Sequence, residues 1–291
     1  MTTLTLGLVL ISALAHALWN FLAKRSPDRL AFLWLMNVSA TLLLGPAVVY
    51  LLARAAVTPT GLAYGLVSGL LQVLYFWSLG RGYTVGDLSL VYPVARGTGP
   101  ALVTLFAMPL FGEVPSPAGL GGIALIVLGV YGAHLPSLRP AAWSSPLQAI
   151  AKSPGTRFAL LTGLVISCYT LWDRAGVSYV APLLYGYFGF AVPAIAVAPY
   201  MLARRREPIR EELRQGKWHA AAAGLLSYLA YGLVLVSFTM AKVSYVAAAR
   251  EVGIVFGALL GAAFLREKHG RPKIAGAAAI FAGVALIAGA R

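Results

Sequence analysis

Ten stretches of this chain stay apolar for about the thickness of a bilayer, and no other feature limits its fold so tightly. They cover residues 4–23, 30–53, 60–80, 86–111, 117–135, 158–176, 179–203, 218–240, 243–265 and 272–290. A helix crossing the roughly 30 Å hydrocarbon core needs about 20 mostly apolar residues, because lipid offers no partner to an unpaired backbone amide. A membrane barrel would show shorter segments that alternate polar with apolar residues. These runs are continuous, so the chain is expected to be an all-α membrane protein with ten transmembrane helices. Composition agrees: 59% of the 291 residues are hydrophobic and 11% charged, with a mean hydropathy of +0.80, whereas soluble domains carry about 25% charged residues. Disorder would need the opposite balance. The first run has no positive residue before it and is followed by Lys24 and Arg25, the reverse of a secretory signal, so it reads as a retained first helix.

The net charge of +14 could point to nucleic acid, but its placement points elsewhere. Seventeen of the 23 Lys and Arg residues lie in the loops after odd-numbered runs. The opposite side carries Arg54, Arg174, Lys242 and Arg291, and only Arg96 and Arg250 lie within runs. The positive-inside rule then puts the odd loops in the cytoplasm and both termini outside, in the plasma (inner) membrane. The lipid bilayer is an expected partner and nucleic acid is not. The lone cysteine, Cys168, permits neither a disulfide framework nor a Cys-based metal cluster.

Residues 136–157 hold four prolines and four serines, a linker composition. The linker divides the chain into residues 1–135 and 158–291, with five runs in each. The two parts are copies of one unit. A shift of 154 residues places Arg96 on Arg250, Gly99 on Gly253, Glu113 on Glu267, Gly122 on Gly276 and Gly129 on Gly283. A shift of 153 places Trp19 on Trp172, His16 on Tyr169 and Asn20 on Asp173. An odd number of spans per copy forces the second copy upside down. The expected fold is therefore two inverted five-helix repeats, a device of transporters that hold substrate near the midplane between the halves. A duplication kept only for packing is the alternative.

The stretches HALWNFLAKR (16–25), GDLSLVYPVARGTGP (86–100), FGE (111–113) and LREK (265–268), with the glycine-spaced spans 117–132 and 272–289, resemble the drug/metabolite transporter superfamily, in particular its EamA-type ten-helix members. The resemblance covers the chain twice over. It implies a secondary transporter; such proteins export amino acids, other metabolites or toxic compounds, and more distant relatives exchange sugar phosphates or nucleotide sugars. Well-known ten-helix members are generally drawn with both termini in the cytoplasm, which the loop charges here oppose.

An ionisable side chain at mid-bilayer costs at least about 2.5–3.5 kcal/mol, so each one is a candidate for function. Arg96 and Arg250 lie deep in spans four and nine. Guanidinium stays charged and grips carboxylate or phosphate with two parallel bonds. The pair therefore reads either as an anion-binding site at the repeat interface, or as cations neutralised within the bundle, Arg96 by Glu251 or Asp173. Tyr92 shares the Arg96 face of span four, and Pro93 and Pro100 interrupt the backbone ladder within that span. His16 and Asn20, with Trp19 beside them, form one polar cluster on a helix face, and Tyr169 and Asp173, with Trp172, form its counterpart. Both read as cavity rims or as interfacial anchors. Glu251, Asp173 and His16 are the groups expected to carry a proton if transport is proton-coupled. Gly253, Gly257 and Gly261 form a small-residue stripe that would let helices approach closely, within a monomer or in a homodimer.

The sequence holds no Walker loop, HExxH, GxSxG or clustered metal ligands, so neither ATP-driven nor enzymatic chemistry is expected and no cofactor is implied. The expected function is non-ATP transport, by alternating access, of a small molecule bearing a phosphate, phosphonate or carboxylate group, amino acids included. A lipid-linked phosphate translocase is the nearest alternative. A membrane enzyme or an assembly subunit is a more distant one.

Overall fold

The computed structural model describes residues 1–54, 57–85, 88–133, 135, 137, 154–265 and 270–290. The described chain is built of α1 (Thr3–Lys24), α2 (Arg29–Leu52), α3 (Pro59–Val85), α4 (Leu88–Phe111), α5 (Pro117–Gly132), α6 (Pro154–Gly176), α7 (Pro182–Arg204), α8 (Arg206–Phe238), α9 (Val243–Ala249), α10 (Gly253–Leu265) and α11 (Arg271–Gly289). A 3₁₀ turn, Arg250–Val252, joins α9 to α10. No strand occurs among the described residues. Taking α9, the turn and α10 together, the ten apolar runs become ten helical segments. Eight are long and apolar enough to cross a membrane. The other two are the 16-residue α5 and the 23-residue α6, which carries Arg157, Asp173 and Arg174.

Polarity is arranged as lipid demands. Leu42, Ile195 and Phe264 are largely exposed, while Arg96, Glu113, Asp173 and Glu251 are buried. Exposed leucines cost nothing against acyl chains, whereas each buried polar group must find its partner inside the protein.

One expectation is corrected. The charge of residues 204–217 predicts a loop or a helical turn on the surface; the stretch is instead helical from Arg206 and bends into its span at Gly216 (φ −154°, ψ 30°). Its anchors explain this: Glu212, buried, accepts from Asp28 N at 2.9 Å and from Ser26 Oγ, and Arg205 pairs with Asp28 at 2.6 Å. Each proline of span four removes a bond from the backbone ladder, which membrane helices tolerate, and α4 stays helical through Pro93 and Pro100. Span nine, with no proline, is the one that tightens to a 3₁₀ turn.

The chain forms two compact units. One comprises residues 1–10, 74–171 and 240–291, and the other residues 11–73 and 172–239. Each unit draws helices from both sequence repeats, and each shows the inversion directly. In the first unit α5 packs on α11. A methyl on Gly122 would meet the carbonyl of Gly283 at 2.7 Å, and one on Gly129 would meet that of Gly276 at 2.8 Å. Gly276 is the repeat counterpart of Gly122, and Gly283 of Gly129. Contacts that cross over in this way are those of an antiparallel pair about a local two-fold axis.

The second unit repeats the pattern with hydrogen bonds. Trp34 Nε1 of α2 donates to Ala194 O of α7 at 3.0 Å, and Tyr187 Oη of α7 donates to Thr41 O of α2 at 3.1 Å. Trp34 corresponds to Tyr187 and Thr41 to Ala194 at the 153-residue shift. The two copies are inverted. Side-chain bonds of this kind inside membranes contribute about 0.6–1.7 kcal/mol. Trp34→Leu and Tyr187→Phe are each expected to lower unfolding free energy within that range in a detergent-denaturation titration. A loss several-fold larger for one than for the other would show that the two bonds are not equivalent.

Candidate substrate site

In the first unit, α4 is pressed close to α6. Methyl groups on Gly99 and Gly163 would meet Ile166 Cγ2 at 2.8 Å and Thr98 Cβ at 2.6 Å respectively, and Val91, Val94, Ala95 and Ala159 form the buried cluster beside them. This packing fixes Arg96, only 7% exposed, in the interior. Its Nε donates to Oε2 of Glu251 at 3.0 Å, and Glu251 is 4% exposed. The ion pair joins α4 of the first repeat to the 3₁₀ turn of the second. Of the two partners left open for Arg96, Glu251 is bonded to it.

The turn is held from its N-terminal side. Buried Glu113 accepts from Val243 N at 2.5 Å, Ser244 N at 3.2 Å and Ser244 Oγ at 2.7 Å. A carboxylate there satisfies the unpaired amides that open α9 and complements its dipole. Tyr245 Oη accepts from Ser116 N at 2.9 Å. With α9 anchored, the helix tightens to 3₁₀ geometry at Arg250–Val252, where successive side chains diverge by about 120°. Glu251 is bonded to Arg96, and the neighbouring Arg250 acts on the same carboxylate through its charge. Arg250 is half-buried and makes no hydrogen bond or ion pair among the described residues. The cation is thus held beside a compensated pair, at a 3₁₀ tightening of an otherwise continuous membrane span.

The second unit contains a different polar centre. Asp173 of α6 is fully buried; its Oδ1 accepts from Ser68 Oγ of α3 at 2.6 Å and Tyr185 Oη of α7 at 3.0 Å, and its Oδ2 from Tyr231 Oη of α8 at 2.5 Å. Three hydroxyls from three helices surround one carboxylate. Trp172 Nε1 donates to Tyr64 O at 2.9 Å, and the Trp172 ring lies 4.5 Å from that of Tyr64. The site is a four-helix clasp.

The other residues chosen from the sequence fall in separate places. His16 meets Trp19 edge-on at 4.9 Å, and exposed Asn20 donates back to His16 O of its own helix at 2.8 Å. Tyr169 is buried against Tyr75, at 6.0 Å between rings, and belongs to the first unit, whereas Trp172 and Asp173 belong to the second. The expected symmetry between the 16/20 and 169/173 clusters is therefore one of sequence position and not of environment. The side chain of Tyr92 lies outside the described residues, as do Glu267 and, apart from residue 137, the linker up to residue 153. Of the glycine stripe in span nine, Gly253 and Gly261 are buried, but Gly257 is exposed with nothing within 4 Å of an added methyl. The tight helix crossing is made by the α5 and α11 glycines instead. Ser68 and Tyr185 were not identified from the sequence, and no spacing marks them out. Among the described residues no His, Cys, Asp and Glu group could hold a metal ion.

An inverted duplication of membrane helices, with ionised groups buried in its interior, defines a class of multi-pass membrane proteins. Residues 153–289 match the EamA-like transporter family. That family is part of the drug/metabolite transporter superfamily, and the match spans the second of the chain's two repeats. A solved structure titled "Crystal structure of protein" is similar to it with a TM-score of 0.70 and 17% identity, over 98% of this chain and 95% of that one; it shows the shared fold. No curated protein matches the sequence.

Proposed function

We propose that this membrane transporter moves, without ATP, small metabolites bearing a phosphate, phosphonate or carboxylate group, amino acids included, and that Arg250 is the anion's contact. The observation carrying this reading is a half-buried guanidinium, among apolar helices, that makes no hydrogen bond or ion pair among the described residues. A permanent charge in that setting is costly unless a ligand or water completes it. Arg96, held by Glu251, supplies a second guanidinium at the same site. His16, Trp19 and Asn20 are candidates for a solute-facing rim. Asp173 serves to clasp α3, α6, α7 and α8. Residence in the inner membrane with both termini outside is supported by the distribution of loop charge.

The test is counterflow in liposomes with purified protein and a panel of labelled carboxylates, amino acids and organic phosphates. Arg250→Gln keeps the size of the side chain and removes its charge. Hydrogen bonds to charged groups contribute about 1.5–3 kcal/mol, so kcat/KM should fall about 10- to 100-fold for an anionic substrate, with Arg250→Lys intermediate. Undiminished counterflow in Arg250→Gln would overturn the assignment. Product formation without translocation would overturn the transporter reading itself.

A further inference from the structure

We infer that the Arg96–Glu251 pair is a proton-linked exchange site, in which the substrate's anionic group displaces Glu251 from Arg96 and the freed carboxyl takes up one proton. The inference rests on the anion-binding reading above and adds to it a coupling ion.

The geometry supplies three parts. First, the pair is closed but not locked, since its ion-pair contact is a single Nε–Oε2 bond at 3.0 Å and not the two-bond fork available to guanidinium and carboxylate. An incoming carboxylate or phosphate can offer Arg96 the better geometry. Second, Arg250 stands one residue from Glu251 on the same turn, so an anion drawn to it arrives beside the pair. Third, Glu251 is carried by a 3₁₀ turn between two α-helices, and such mid-helix segments commonly mark hinges. A small rotation there withdraws Glu251 without moving α4.

The exchange is then balanced. The Arg96–Glu251 contact breaks, an Arg96–anion contact forms, and a buried carboxylate that has lost its cation accepts a proton from the aqueous phase rather than remain charged. One monoanion and one proton enter the site together, and the net charge of the site is unchanged. The groups around Glu251 leave it as the one that titrates. On α4 the facing charge is Arg96, and on the turn it is Arg250. The only titratable group in α5 is Tyr131, and in α9 it is Tyr245, whose hydroxyl is engaged by Ser116. The described side chains of α10 include none, and the charges of α11, Arg271 and Lys273, stand in its first turn.

Sodium sulfate is a suitable probe, because sulfate stays fully ionised through the mildly acidic to neutral range and any pH dependence belongs to the protein. Protonating Glu251 removes its competition for Arg96, so affinity should rise as pH falls. In detergent, the wild-type protein is expected to bind sulfate about tenfold more tightly for each unit decrease in pH, with one proton taken up per sulfate bound. Glu251→Gln removes that competing carboxylate permanently. It should bind sulfate more tightly than wild type at neutral pH, lose the pH slope, and regain thermal stability when sulfate is added. A wild-type affinity independent of pH, binding without proton uptake, or absence of sulfate binding would each overturn the exchange. The wild-type titration decides the matter even if Glu251→Gln does not fold. Arg250→Gln separates the two readings. If it weakens sulfate binding while wild type shows no pH slope, the anion site stands and the exchange falls; if sulfate binds it undiminished, the anion site itself has been misassigned.

Discussion

Arg96→Ala is expected to lose about 3–5 kcal/mol of stability, the cost of leaving one member of a buried ion pair uncompensated. Glu251 is 4% exposed and bonded to Arg96, so the variant strands a carboxylate among apolar helices. Removing both charges is different. In Arg96→Met/Glu251→Leu neither desolvation penalty is incurred, and replacing a buried pair with apolar groups of similar volume is often neutral or stabilising. The double variant should therefore unfold near the wild-type midpoint in a detergent-denaturation titration, yet show no counterflow. The contrast separates what the pair does for the fold from what it does for transport. An Arg96→Ala variant within about 0.5 kcal/mol of wild type, the usual range for surface changes, would show that the pair is not a desolvated one.

The second large effect falls on the α5–α11 crossing. A methyl on Gly283 would meet the carbonyl of Gly122 at 2.5 Å, and one on Gly129 would meet that of Gly276 at 2.8 Å. Both obstacles are backbone atoms of the facing helix, which cannot rotate away as a side chain can. Gly129→Leu and Gly283→Leu are each expected to cost about 3 kcal/mol or more, at or above the upper end of ordinary overpacking. Gly257→Leu is the control, since that position is exposed with nothing within 4 Å, and it should change stability by no more than about 0.5 kcal/mol. Equal losses at all three positions would mean that the cost reflects leucine in these helices and not the crossing.

The sequence carried the architecture because lipid enforces it. Each span must satisfy its own backbone, so length and apolarity alone located ten segments, and the matched Arg, Trp and Gly positions exposed the duplication. The 3₁₀ turn in span nine was not legible. Pro93 and Pro100 signalled an interrupted ladder in span four, where α4 nonetheless stays helical. The turn at Arg250–Val252 lies beyond α9, which Glu113 and Tyr245 anchor through contacts that no local pattern encodes. The Arg96–Glu251 pair was one of two alternatives, because residues 155 positions apart can be matched only once the helices are placed. Asp173 stood out as a charged residue in an apolar run. Its partners Ser68 and Tyr185 did not, because serine and tyrosine are common in helices of every kind, and only the meeting of α3, α6, α7 and α8 gives them a role.

A charge swap tests most directly whether the Arg96–Glu251 pair belongs to the transport site. Arg96→Glu/Glu251→Arg keeps an ion pair between α4 and the turn but exchanges its ends. Measured by counterflow of an anionic substrate in liposomes, with unfolding followed in parallel, the swapped protein should remain close to wild type in stability and lose transport. Counterflow at the wild-type rate would contradict the account, because a pair that works equally well in either direction only holds helices together.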